Sequence, residues 1–168
     1  MEPIDLALTV LRLWLGIVML AHGVHHARNL EGTAAWFASK GFRQPPLNAR
    51  ASAFGELAIG AGLVTGLLTS PAAAGLIATM TVAFGSIHRF AGFFVFKRPD
   101  EGWEYVATLA VASLTVAVAG PGPYSLDAVL GIDTALSGWT GLAIALAGVA
   151  AGAVQLAVFW RRPTSETP

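Results

Sequence analysis

The stretch DLALTVLRLWLGIVMLAHGVHHA, residues 5–27, decides the fold. Apart from Asp5, Arg12 and three histidines it is almost wholly apolar, and it is as long as the roughly 20 residues needed to cross the hydrocarbon core of a bilayer. Four more apolar runs follow, at about 51–69, 72–91, 103–119 and 138–160. The composition agrees: 55% of the 168 residues are hydrophobic and 12% charged, and the mean hydropathy is +0.64. A soluble chain of this length needs a largely polar surface, and these residues cannot make one. The reading is therefore an all-α, polytopic membrane helical bundle. A four-helix core is expected over residues 1–137, an additional C-terminal transmembrane helix at its periphery over 138–160, and a short polar tail over 161–168.

Between the runs the punctuation is polar. Arg28 to Arg50 holds a stretch from Gly32 to Lys40, with Trp36 and Phe37, that reads as a short helix in the interface plane. Gln44-Pro45-Pro46 is expected to break any helix, and Thr69-Ser70-Pro71 to make a tight turn with Pro71 opening the next helix. Gly120-Pro121-Gly122-Pro123 ends the fourth run, and Ser125 to Leu136 suggests a short amphipathic helix. The acidic N-terminus lacks the positive region of a secretory signal, so the first run is expected to stay in the mature protein.

Nine of the ten basic residues fall in the 28–50 loop, the 89–98 loop and the tail, while Arg12 lies inside a span. Positive loops stay cytoplasmic. The expected topology is thus five spans of a plasma membrane, N-terminus outside and C-terminus inside. The absence of cysteine excludes thiol catalysis, disulfides and Cys-ligated metals, and the zero net charge gives no support to nucleic-acid binding.

Ionisable groups inside a membrane are expensive, so each marks a functional hypothesis. His22, His25 and His26 end the first run, Glu56 lies near the start of the second, His88 and Arg89 end the third, and Glu104 opens the fourth between Trp103 and Tyr105. All fall at one depth. His22 and His26, spaced i, i+4, share a helix face, and with His88, Glu56 and Glu104 they offer nitrogen and oxygen ligands for a metal. The same groups suit a quinone head group or a proton relay. The plainer alternative is that His25, His26 and Arg89 meet lipid head groups while His22 and Glu56 are interhelical partners. Arg12 lies at the other end of the bundle, where a structural pair with Asp127 is expected and an anionic-ligand site is the alternative. Gly62-x-x-x-Gly66 and Gly148-x-x-x-Gly152 allow close helix approach, within the chain or in a homo-oligomer.

These motifs resemble the DoxX family of small bacterial membrane proteins over nearly all of residues 7–130. The matching pieces are Leu11-Arg12-Leu13 with Ala21-His22-Gly23, Trp36-Phe37, Glu56 with Gly60, and Gly66-Leu67-Leu68-Thr69. They continue through His88 with Gly92-Phe93-Phe94, Gly102-Trp103-Glu104-Tyr105, and Gly120 to Asp127. A basic residue that the family often carries soon after the second span is replaced here by Ser70. The resemblance implies a redox-associated membrane subunit, in an oxidative-stress or thiosulfate–quinone type of system, with quinone as the cofactor. On that reading His22 and Glu104 contact the head group, Glu56 carries protons, and Trp103 and Tyr105 flank the site. Two other classes stay open: a non-catalytic scaffold docking a soluble enzyme through the basic loops, and a small proton-coupled transporter. Beyond the bilayer, the expected partner is another protein or a second copy of the chain.

Overall fold

The structure, a computed structural model, describes residues 2–96 and 101–163. The charge-dense Lys97 to Asp100 and the tail from Thr164 lie outside the described residues. The fold is all-helical: α1 (Pro3–Arg28), α2 (Leu30–Ser39), α3 (Pro45–Thr65), α4 (Thr69–Ser86), α5 (Glu104–Ala119), α6 (Leu126–Leu130), α7 (Asp133–Leu136) and α8 (Gly138–Phe159), with a 3-10 turn at His88–Phe90.

Among the described residues, α1 and α8 are long and apolar enough to cross a membrane by themselves. Their burial argues for lipid: only 22% and 17% of their most apolar windows are covered by protein. Trp14, Ile17, Leu146, Val154 and the 86% exposed Trp139 point outward. Apolar helices left this bare in water would be an aggregation surface, whereas in a bilayer lipid covers them. The core inside is narrow, with Leu15, Met19, Leu63, Leu76, Ile77 and Val116 at its centre.

Small residues bring the helices together. A Cβ added at Gly16 would stand 2.9 Å from the Val64 backbone nitrogen, and one at Gly60 would stand 2.8 Å from the Gly16 carbonyl oxygen. α1 and α3 therefore touch backbone to backbone. Gly148 and Gly152 of α8 face the Ala74 and Ala78 carbonyls of α4 in the same way. The last helix, expected at the periphery, thus packs directly along α4 and also contacts α5. Its end is pinned to the α2–α3 connection: Arg43 N–H donates to Phe159 O and Arg161 N–H to Gly41 O. Trp160 Nε1 donates to Lys40 O at 2.8 Å.

Three expected boundaries move. No helix runs through Gln44-Pro45-Pro46, as expected, but α3 starts there and not near residue 51, because Pro is tolerated in a first turn, where its missing N–H would have no partner. The turn expected at 69–71 lies at Gly66-Leu67-Leu68, and α4 already begins at Thr69. Gly66 (φ 68°) and Leu68 (φ 50°) both stand in the left-handed region, the latter unusual for a side-chain-bearing residue. The single helix expected over Ser125 to Leu136 is split into α6 and α7 by left-handed Gly131.

Candidate functional site

Two polar centres sit at opposite ends of the bundle. At one end, Arg12 is 1% exposed on α1. Its Nη1 donates to Leu63 O and to Val64 O (2.9 Å), and its Nη2 donates to Tyr124 O (2.8 Å). Those carbonyls include the last of α3, which have no partner within their own helix. Asp127, fully buried, accepts from Leu68 N–H at 2.7 Å and Thr69 N–H at 2.8 Å, so it caps α4. The expected direct Arg12–Asp127 ion pair is not formed. Asp127 instead binds the backbone at the head of α4, and Arg12 binds the end of α3 and Tyr124 O before α6, although Asp127 remains within electrostatic reach of Arg12. Both side chains thus bind mainly backbone, holding the α3–α4 turn to α1 and to the segment before α6, while Arg12 Nε is buried without a partner.

The other end is built differently. Gly23 allows α1 to approach α3 so closely that an added Cβ would stand 3.0 Å from Ala53 O. One turn further along α1, this approach brings His26 to α3. His26 Nδ1 lies 2.9 Å from Glu56 Oε2. Ser52, one turn before Glu56 on α3, donates to Glu56 Oε1 at 2.6 Å, and its Oγ lies 3.2 Å from His26 Nδ1. Glu56 is only 4% exposed. Its Oε2 has the His26 contact but no well-directed hydrogen bond, so one buried carboxyl oxygen retains accepting capacity.

This triad forms one wall of a cavity of about 540 Å³ between α1, α3, α4 and α5, with α2 across one side. The lining is mostly aliphatic and aromatic, including Met19, Ile59, Met80, Val106 and Leu109, and Trp36 and Phe37 come from α2. Such a shape, an apolar pocket with a few convergent polar groups, is the usual form of a small-molecule site.

His22, Glu56, His88 and Tyr105 all line this cavity. His22 packs edge-on to His26 with ring centroids 6.2 Å apart, and both His22 and Tyr105 stand at the exposed mouth. His88 Nδ1 donates to Glu101 O at 2.7 Å and so ties the linker after α4 back to the bundle. Glu104 and Trp103 are not part of the lining. Glu104 Oε2 accepts from Val95 N–H at 3.2 Å, while Trp103 packs edge-on between Phe84 and Phe93. Among the described residues no three His, Asp or Glu side chains gather as a metal site requires, so His22, His26 and His88 do not form one cluster. Sequence reasoning missed Ser52, although its i, i+4 spacing to Glu56 was a readable sign.

Comparison with known proteins gives one result. Residues 7–89, about half of the chain, match the model of the DoxX family, and this stretch contains Arg12, His22, His26, Ser52, Glu56 and His88. Neither the curated proteins nor the solved structures yield a match.

Proposed function

We propose, from the premise that residues 7–89 of this chain are a DoxX domain, that the protein is a membrane subunit holding a quinone or quinone-like head group in the cavity beside Glu56. The observation that carries this reading is the His26–Ser52–Glu56 triad, with Glu56 buried and its two partners half-buried, set into a largely apolar pocket inside a lipid-facing bundle. A head group of one or two rings fits the cavity volume, and its isoprenoid tail would leave between helices into lipid. His26, Ser52 and Glu56 supply the polar contacts and a route for protons, with His22 and Tyr105 at the mouth. Glu104 and Trp103 support the site from the neighbouring linker without touching the ligand. With no cysteine in the sequence, electrons would pass to a partner protein in a redox-associated complex.

The test is the quinone content of gently purified protein beside a His26→Ala, Glu56→Gln double variant. Near-stoichiometric quinone is expected in the wild type, falling at least tenfold in a variant that retains its helical content, since two hydrogen-bonding groups are lost. Wild-type protein without quinone that also fails to bind added short-tailed quinone would overturn the proposal.

The basic loops support a topology with the N-terminus outside and the C-terminus in the cytoplasm of a plasma membrane. The natural lack of cysteine gives a clean background for labelling. Exposed Thr134→Cys is expected to react with an impermeant maleimide on intact cells, and exposed Ser39→Cys only after lysis. The reverse pattern would invert the orientation and place the cavity in the outer leaflet.

A further inference from the structure

We propose that the end of the bundle carrying the basic loops holds an anionic phospholipid of the adjoining leaflet, its phosphate seated by Arg89 and Arg162 at a pocket beside the end of α8. The site lies across one wall from the Glu56 cavity and stands whatever that cavity binds.

Three distant pieces of chain build the pocket: the end of α2, the 3-10 turn after α4 and the residues after α8. The backbone bonds that pin Phe159 and Arg161 to the α2–α3 connection bring Arg162 over the ring of Phe90, its guanidinium carbon 4.7 Å from the ring centre. Arg89, next to Phe90 in the 3-10 turn, puts its own guanidinium carbon 4.6 Å from the same centre and 5.5 Å from that of Trp160. Phe90 and Trp160 are stacked at 26°, with 6.3 Å between centroids. Beside these rings opens a pocket of about 270 Å³, lined by Ser39, Lys40, Ser86, Phe90, Trp160 and Arg162 among others. Lys40 and Ser86 also line the Glu56 cavity, so one wall divides the two.

Charge and depth together name the occupant. Two guanidiniums over one ring stand within about 10 Å of each other, the Debye length at 0.1 M salt, and so repel. The rings offset part of this through cation–π attraction. Neither arginine has an ion pair with a carboxylate among the described residues, and no Asp or Glu there lines the pocket. The local excess of positive charge attracts an anion, and the forked donors of arginine match phosphate oxygens. The surroundings favour a lipid over a soluble ion. Phe90 is exposed, as are Phe93, Phe94 and Phe96 in the linker after it, Phe96 by 72%. These rings, with Trp160, stand just past the ends of α4 and α8, the depth at which aromatic residues settle at a membrane surface. A lipid offers them glycerol and acyl chains to pack on while its phosphate lies level with the arginines. Basic pockets between helix ends at this surface are suited to lipid head groups.

The test counts lipid bound to purified full-length protein in a non-ionic detergent by native mass spectrometry. Phosphatidylglycerol is titrated against phosphatidylcholine with the same acyl chains. The first phosphatidylglycerol is expected to bind roughly tenfold or more tightly than the first phosphatidylcholine, as two arginines beside an anionic head group imply. In Arg89→Gln, Arg162→Gln that ratio should fall roughly fivefold or more. Both side chains are exposed, so the fold should survive. Arg28→Gln, Arg50→Gln removes the same charge from exposed positions at the same end, outside the pocket lining, and should leave the ratio nearly unchanged. No preference in the wild type would overturn the proposal without any variant. So would equal losses in the two double variants, which would reduce the effect to diffuse surface charge. Glycerol 3-phosphate carries the phosphate without acyl chains, and at millimolar concentration it should displace little of the lipid. Displacement as complete as that by added phosphatidylglycerol would make the pocket a site for soluble phosphates and overturn the lipid assignment.

Discussion

Arg12→Leu is expected to leave almost no folded protein. The substitution removes the donors that satisfy Leu63 O, Val64 O and Tyr124 O. It leaves the buried Leu63 O and the part-buried Val64 O and Tyr124 O beside an apolar neighbour and removes a positive charge within electrostatic reach of Asp127. Leaving a buried hydrogen-bonding group without its partner costs about 1–3 kcal/mol, so losing these bonds together takes a large share of the stability of a domain this size. Arg12→Lys keeps the charge but cannot fork to three carbonyls, and is expected to fall between the two. The measurement is the fraction of monodisperse protein recovered in mild detergent and its thermal midpoint. An Arg12→Leu protein with wild-type yield and midpoint would show that Arg12 is not the clamp described above, and would return it to the list of ligand-binding groups.

The second large effect is expected at Gly60. Its missing side chain is what lets α1 and α3 meet: a Cβ there would sit 2.7 Å from Leu20 Cγ and 2.8 Å from both the Leu20 nitrogen and the Gly16 oxygen. A flexible side chain can move aside, but backbone atoms of a packed helix cannot. Gly60→Val adds two further methyls, so the helices must separate along their shared face. Overpacking of this kind costs typically 1–3 kcal/mol, and more where backbone is displaced. Gly55 is the internal control, since a Cβ there meets nothing within 4 Å. Gly55→Ala should leave the midpoint at or slightly above wild type, through its gain in helix propensity, while Gly60→Val lowers it sharply and widens the His26–Glu56 gap. Equal midpoints for the two variants would mean that the α1–α3 seam does not depend on Gly60.

Much of this architecture is legible in the sequence because hydrophobic length is a direct physical requirement of a bilayer. The 5–27 and 138–160 runs correspond to α1 and α8 within a few residues, and 103–119 to α5. The start of α3 was hidden because its first turns carry Asn48 and Arg50, polar residues that do not extend an apolar run. Leu68 in a left-handed conformation was not readable at all. Nothing local favours it, and it is held by Asp127 from far along the chain. The depth of the His and Glu groups followed from their positions in the runs, but depth does not fix rotation. The i, i+4 pair His22 and His26 shares a face, yet only His26 reaches Glu56, because the close approach at Gly23 occurs one turn before it. Glu104 lies at the right level, but its carboxylate turns to the Val95 N–H in the preceding linker.

The clamp on the α3–α4 turn also bears on how the chain is made. A ribosome delivers residues in order, and the acceptor for Leu68 N–H is encoded 59 residues later. When the α3–α4 hairpin leaves the tunnel, its turn has Arg12 to hold one side and nothing yet to hold the other. Until Asp127 follows, the two amide hydrogens at the head of α4 must bond to water or to other partners, and only the arrival of α6 brings the carboxylate that caps them. The final capping of α4 thus waits on translation of a distant segment. The interval before residue 127 emerges is when the insertion machinery or a membrane chaperone has most reason to stay bound.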